Sequence, residues 1–436
     1  MADENATVIV SYERLSEKVT KALSRNAEAL IEATQAPAPE GLEADEPPAT
    51  DAEAAAFMEE MAKALKQLEE KELTPGVLVA PDDRFTSLLQ SHLARRSLEE
   101  QKVEPAAAGG FEAKFDEHDV LGWARSLFTW VQKLKPHPWV AAGPTPDPLP
   151  DTLRAAVLGD WGSGLYGAPV CAASIRNDPK DYQLLLHLGD VYYSGTRDEV
   201  QDRFLNLWPE KPAAVHRACN ANHEMYTGGR AYFKQILTKF QQQASHFALQ
   251  NDHWLLVGLD TAYEDGRLAG EQAAWLQNLV GAAGDRRVVL FSHHQLYTWV
   301  DKPNAQLQTQ LAELLKGKQL FAWYWGHEHR CMLFDRHPAW DIYGRCVGHS
   351  GFPYWRDKFD AGTVESRGPQ DTAWRRVETK NLVPGGLILE GPNPYVPGEE
   401  NRYGPNGYMT LEFDGPRLNE IVHAPDGQIE YERQLV

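Results

Sequence analysis

The 436-residue chain contains no run of about 18 apolar residues, so no membrane-spanning helix is expected. Cysteine is scarce: Cys171, Cys219, Cys331 and Cys346 are scattered, with no C-x-x-C spacing and no nucleophile-like context. Free, buried thiols of a reducing compartment are the plain reading. The opening residues, Met1-Ala2-Asp3-Glu4-Asn5, lack the basic start and apolar stretch of a secretory signal, which predicts a cytoplasmic protein. There is no G-x-x-x-x-G-K-[ST] loop, no G-x-S-x-G elbow and no tandem repeat. Positive charge is also in deficit. Lys and Arg number 43 against 62 Asp and Glu, a formal net charge of −19. Such a chain repels polyanions, which argues against nucleic acid as a partner. A site for a small anion would need cations of its own to overcome that field.

What is present divides the chain in two. Leu15, Val19, Leu23, Ala27, Leu30 and Ile31 recur every three or four residues and predict a helix over 12–34. Residues 36–50 are rich in Pro, Ala, Glu and Asp and cannot bury a core. Phe57, Met61, Leu65 and Leu68 mark a second helix ending before Pro75-Gly76. A third is expected over 82–101, then a small-residue break over 106–110. A fourth, on Val120, Trp123, Leu127, Trp130, Val131 and Leu134, is stopped by Pro136 and Pro138. From Leu153 strands alternate with helices. Strands are expected at 155–158, 183–188, 215–219, 254–259, 287–291 and 320–325, with a short helix at 272–280. Residues 246–259 read as a tight hairpin around Asn251-Asp252. Two further strands are expected at 408–413 and 428–433. Residues 353–407, rich in Gly, Pro, Arg and aromatics, read as an irregular lid or substrate loop.

Five short blocks carry the chemistry: Gly159-Asp160-Trp161-Gly162, Gly189-Asp190-Val191-Tyr192-Tyr193, Asn222-His223-Glu224, Ser292-His293-His294 and Gly326-His327-Glu328-His329. Each follows an apolar run, and the C-terminal ends of strands are where open α/β sheets place their sites. Singly they are ordinary, since an Asp after a strand is usually a turn former. Together they bring oxygen and imidazole donors that suit hard or borderline metals rather than a thiolate site. Two cations about 3.5–4 Å apart can hold a phosphoryl group and turn a bridging water into hydroxide. One carboxylate must bridge both ions, and Asp190 is the candidate. Asp160 and Tyr193 suit one ion and Asn222 the other, while His327 and His329 can give one imidazole to each. His223, beside a ligand but not needed as one, is positioned to protonate a leaving alkoxide. His294 either contacts substrate or packs.

These blocks resemble those of the calcineurin-like metallophosphoesterases, and within them the purple acid phosphatases. The first block has Gly162 where the superfamily usually has a histidine, and Tyr193 lies three residues after Asp190, the paired departure of the purple enzymes. The resemblance spans residues 153–350 and the C-terminal strands, not the N-terminal helices. It implies a ferric-type site of Asp160, Asp190, Tyr193 and His329. It also implies a divalent site (Zn2+, Fe2+ or Mn2+) of Asp190, Asn222, His293 and His327, with His223 as general acid. Ala221 and Gln295 depart from the family pattern without removing a ligand.

The expected protein is therefore of α/β class in its α+β form. Residues 151–436 would form a metallophosphoesterase-like β-sandwich flanked by helices, and 1–150 a helical region with an acidic Pro/Ala-rich linker. The expected activity is hydrolysis of a small phosphate ester, as a phosphomonoesterase. Phosphodiesterase or nucleotide hydrolase action with the same site is the alternative, and a non-catalytic phospholigand-binding scaffold the other. No membrane partner is expected, and homo-oligomerisation through the N-terminal helices stays open.

Overall fold

Three short segments, too brief to show a period, pair in the N-terminal part of the chain. β1 (Val8–Val10), β2 (Val103–Pro105) and β3 (Phe111–Ala113) form a sheet in the order β1-β3-β2, with β1 parallel and β2 antiparallel to β3. The computed structural model describes residues 7–12, 15–25, 51–72, 77–78, 83–106, 110–114, 124, 127–128, 130–132, 134–356, 362–380 and 382–436. Met1–Pro136 with Tyr226–Gly228 form one compact unit, and His137–Met225 with Gly229–Val436 the other.

In the first unit, α1 (Leu15–Arg25), α2 (Asp51–Lys71) and α3 (Arg84–Glu99) bury the stripes read from the sequence, among them Val19, Met61, Leu65, Leu68, Leu89 and Leu93. Asp83 caps α3, its side chain accepting from the Thr86 N–H at 2.7 Å, which fixes where that helix starts. The first helix starts at Leu15, whose N–H donates to the Tyr12 carbonyl at 2.9 Å, rather than at residue 12. The end of that helix, the linker and most of the fourth helix lie outside the described residues.

The second unit holds, in chain order, β4 (Asp147–Pro148), β5 (Thr152–Leu158), β6 (Leu184–His187), β7 (Val215–Ala218), β8 (Phe247–Gln250), β9 (Trp254–Gly258), β10 (Arg287–Ser292), β11 (Ala322–Trp325), β12 (Cys331–Phe334), β13 (Tyr343–Val347), β14 (Val364–Arg367), β15 (Ala373–Val377), β16 (Gly386–Glu390), β17 (Tyr408–Asp414), β18 (Arg417–His423) and β19 (Ile429–Gln434). One sheet runs β19-β18-β17-β5-β6-β7 and the other β14-β15-β16-β12-β13-β11-β10-β9-β8-β4. β5, β6 and β7 are mutually parallel, as are β9, β10, β11 and β13.

The continuous apolar runs follow from burial on both faces. Along β5, Leu153, Ala155 and Val157 enter the core between the sheets, while Ala156 and Leu158 pack outward with Ala168, Cys171, Ala172 and Ile175 of α4 (Gly167–Asn177). Along β10, Val289 and Phe291 point inward, and Val288 and Leu290 pack outward with Leu276, Leu279 and Val280 of α5 (Gln272–Gly281). A fully buried ion pair joins the two sheets. Arg345 of β13 donates from Nε to Glu420 of β18 at 2.8 and 3.0 Å, and the Tyr324 hydroxyl of β11 donates to the same carboxylate at 2.7 Å.

The hairpin formed by β8 and β9 is antiparallel, as expected. Residues 353–407 are more ordered than expected, since β14, β15 and β16 extend the larger sheet. All four residues of β14 are exposed, so it shows no alternation. Three C-terminal strands form rather than two, because Gly415-Pro416 turns β17 back as β18. All four cysteines are buried, with no disulfide. Among the described residues no helix is long and apolar enough to cross a membrane.

Candidate metal centre

The C-terminal ends of the parallel strands carry the five sequence blocks. Asp160 follows β5, Asp190 follows β6, Asn222 and His223 follow β7, His293 and His294 follow β10, and His327 and His329 follow β11. Four of these residues hold left-handed backbone: Asp160 (φ 54°), Asp190 (φ 74°), His327 (φ 72°) and His329 (φ 52°). Such strain at non-glycine residues persists only where surrounding structure enforces it, and it gathers at functional sites. The turns are possible because of their glycines. Gly189 sits at φ 101°, and a Cβ there would lie 2.5 Å from the Ala221 methyl. Ala221, the departure from the family pattern, thus fills space that Gly189 leaves. A Cβ on Gly326 would lie 2.6 Å from Asp160 Oδ2.

Two clusters of donor atoms result: Asp160, Asp190 and His329, and His293, His294 and His327, each with its atoms within 4.8 Å of one another. In the first, His329 Nε2 lies 3.5 Å from Asp160 Oδ1 and 3.9 Å from Asp190 Oδ2. The His327 N–H donates to both Asp160 oxygens, at 3.0 and 2.9 Å. In the second, His293 Nε2 lies 2.8 Å from Asn222 Oδ1, 3.1 Å from His327 Nδ1 and 3.4 Å from Asp190 Oδ1. Asp190 therefore faces both clusters. The two histidines of the His-x-His turn part as expected, His329 to one cluster and His327 to the other. Between them Glu328 is anchored by the Thr298 hydroxyl and by the Trp325 indole, which donates at 2.9 Å. Burial pushes the Glu328 carboxyl up to about 7, against those two hydrogen bonds.

The electrostatics call for cations. His293 Nδ1–H donates to the Leu188 carbonyl at 2.9 Å, and burial holds the ring well below the usual histidine range, so Nε2 presents a lone pair. That lone pair meets the oxygens of Asn222 and Asp190. Asp190 Oδ1 is fully buried and accepts no hydrogen bond among the described residues. Among the described residues neither Asp160 nor Asp190 pairs with lysine or arginine. Burial, then the Asp190 charge, pushes Asp160 well above the carboxylate range. Lone pairs converging without hydrogens between them, in a buried pocket, are what a cation would satisfy.

Residues 153–331 match the sequence model of the calcineurin-like phosphoesterase family. The chain carries a calcineurin-like phosphoesterase domain. Every ligand expected from the sequence lies in this domain, on the rim where the sheets meet. No curated protein matches the chain in sequence. Among solved structures it is similar to a purple acid phosphatase from yellow lupin (Lupinus luteus) seeds at 14% identity, covering 66% of this chain and 55% of that one, with a TM-score of 0.47. This chain thus spans about half the length of that phosphatase. A dimetal phosphatase from Danio rerio matches at 9% identity (65% and 98% covered, TM-score 0.38), and PhoD at 12% (68% and 73%, TM-score 0.41).

Around the candidate metal centre, His223 is buried, and its Nδ1–H donates to the Tyr193 carbonyl at 2.5 Å, which leaves Nε2 as the atom able to carry a transferable proton. His294 Nδ1 lies 3.0 Å from the Thr261 hydroxyl, and its Nε2 lies 3.4 Å from the exposed Asp265 carboxylate. Its ring sits 4.6 Å from that of His327. The phenol against the carboxylates is that of Tyr192, one residue before the expected Tyr193. Tyr192 donates to Asp190 Oδ2 at 3.0 Å and lies 2.6 Å from His329 Nε2. The Tyr193 ring faces the Arg203 guanidinium at 4.8 Å. Glu224 was also missed. Its fully buried carboxylate accepts the Asp190 N–H at 3.3 Å, bracing the left-handed turn, and burial followed by the Asp190 charge pushes it well above the carboxylate range. A carboxylate two residues after Asn222, in a segment that begins at the metal site, was the available signal.

Proposed function

We propose that the chain hydrolyses phosphate monoesters at a two-metal centre. One ion would be held by Asp160, Asp190, His329 and a tyrosine, and the other by Asp190, Asn222, His293 and His327. The observation that carries this reading is the bare, fully buried Asp190 Oδ1, facing the His293 lone pair with no hydrogen-bond donor of its own. Bound cations supply charge neutralisation at the phosphoryl group and activation of water. The tyrosine and Gly162 favour Fe3+ in the first position and a divalent ion, Zn2+, Fe2+ or Mn2+, in the second. His223 would give the leaving alkoxide its proton from Nε2, since Nδ1 is committed to a carbonyl. His294, oriented by Thr261 and Asp265, would contact the phosphate from beside His327.

Metal analysis with p-nitrophenyl phosphate and bis-p-nitrophenyl phosphate assays tests the proposal. About two ions per chain and a preference for the monoester are expected. Preference for the diester would favour a phosphodiesterase, and two bound ions without turnover of either would favour a phospholigand-binding role. His223→Ala should slow an alkyl phosphate by about 10²–10⁴-fold and a nitrophenyl phosphate far less, with metal content unchanged. Equal losses on both substrates would remove His223 from the acid role.

A further inference from the structure

The histidines of the metal centre come from two separate loops, and one side chain ties those loops together. His293 and His294 open the loop after β10, and His327 and His329 stand in the turn after β11. The main chain makes a first link, where Gly326 N–H donates to the His293 carbonyl at 3.0 Å. The turn then doubles back. Glu328 N–H donates to the Gly326 carbonyl at 2.9 Å, between His327 at φ 72° and His329 at φ 52°. Left-handed backbone at two non-glycine residues needs surrounding structure to hold it. The Glu328 carboxylate provides such a hold. Its Oε1 accepts from the hydroxyl of Thr298, four residues after His294, and its Oε2 accepts at 2.9 Å from the indole of Trp325, the last residue of β11. Both anchors are themselves fixed. Thr298 is buried and its hydroxyl oxygen accepts the Val300 N–H at 3.1 Å, while the Trp325 ring is fully buried and meets Tyr297 edge-on at 5.5 Å. Each oxygen of Glu328 is thus taken by a donor, and neither cluster of candidate metal ligands includes it.

We infer that Glu328 is a positioning residue, which through Thr298 and Trp325 locks the His293 loop to the His327 turn and so sets the spacing of the imidazoles on the second ion. The inference rests on the two-metal reading of the site. His293 Nε2 and His327 Nδ1 are held 3.1 Å apart. Neighbouring donors on one six-coordinate ion, with bonds of about 2.1 Å, lie about 3 Å apart. Without the strut the two loops keep only their main-chain link, and the imidazoles lose their fixed separation.

The test is a Zn2+ titration of the full chain and of its Glu328→Ala, Glu328→Gln, Thr298→Val and Glu328→Ala/Thr298→Val variants, with the Tm of each metal-free chain read alongside. Affinity for one of the two ions should fall about 10–100-fold in Glu328→Ala. Glu328→Gln should retain most of the affinity, because its amide can accept from the Trp325 indole and donate to the Thr298 hydroxyl. Thr298→Val should repeat part of the loss from outside the turn, and the double variant should bind no more weakly than Glu328→Ala, since both changes act through one contact. Thr298→Val alone reads the strut if Glu328→Ala does not fold. A lowered Tm with unchanged affinity in these variants overturns the inference. So does a Glu328→Gln chain as weak as Glu328→Ala, or losses that simply add in the double variant. A parent chain that binds no metal sinks the two-metal reading itself.

Discussion

The Arg345–Glu420 pair makes a sharp test of what joins the two sheets. Both side chains are about 1% exposed. The guanidinium donates to Glu420 through Nε and, through Nη1, to the carbonyls of Phe334 at 2.6 Å and Gly344 at 2.8 Å. Glu420→Leu leaves that guanidinium buried without a counter-charge and the Tyr324 hydroxyl without its acceptor. Breaking a buried pair from one side costs about 3–5 kcal/mol, and stranding a hydroxyl adds about 1 kcal/mol or more. A total of about 4–6 kcal/mol lowers Tm by about 10 °C or more in a domain of this size. Replacing the three groups together, Glu420→Leu, Arg345→Met and Tyr324→Phe, removes every stranded polar side chain. Only the two backbone carbonyls then lack their donor, and the loss should fall to about 1–2 kcal/mol. Urea unfolding followed by tryptophan fluorescence measures both variants. A triple variant as unstable as Glu420→Leu would refute the reasoning, as would a Glu420→Leu loss within the 0.5 kcal/mol usual for surface changes.

Two further outcomes are expected. Glu224→Ala should weaken metal binding about 10–100-fold while the chain stays folded, because Asp190 loses the carboxylate that holds its turn, and Glu224→Gln should retain most of the affinity. Unchanged affinity in a metal titration of the alanine variant would dismiss that role. Burial pushes the Glu430 carboxyl up to about 7, partly offset by the Thr372 hydroxyl, so the folded state holds this proton more tightly than the unfolded state does. Stability from this group is therefore present at low pH and lost as pH rises from about 4.5 through about 7. Relative to Glu430→Gln, the parent chain should lose about 1–2 kcal/mol between pH 5 and pH 8, and a stability difference that stays flat across that range would contradict it.

The parts of this fold that were legible in the sequence are those where burial is one-sided in kind. β5, β6, β10 and β11 are apolar on both faces, so they appear as runs, and each run stops at a glycine or serine before its donor. The ligands were legible because their residue types, order and strand-end positions coincide. β1 and β12 escaped notice because three or four residues show no period. β14 escaped because its side chains all face solvent. β18 was hidden by Arg417, Asn419 and Glu420, charged and polar residues that read as a surface loop until Arg345 supplies a buried partner for one of them. Tyr192 and Glu224 were hidden for another reason. Each acts through the direction its side chain takes from a tight turn, and that direction depends on contacts with Gly162 and with the Asp190 backbone.

The donors divide by origin. Among the candidate donors, Asp160, Asp190 and Asn222 stand on ends of the six-stranded sheet, and His293, His327 and His329 on ends of the ten-stranded one. Every oxygen is on one leaf of the sandwich and every imidazole on the other. A cation needing both kinds of donor would act as a clasp between the leaves, so the spacing of the sheets sets the bite of the site. Trimming Phe291 or Tyr324, deep in the seam, would then retune ion preference from a distance. Chelation would in turn register as a loosening of the whole seam, as surely as a cavity cut into its core.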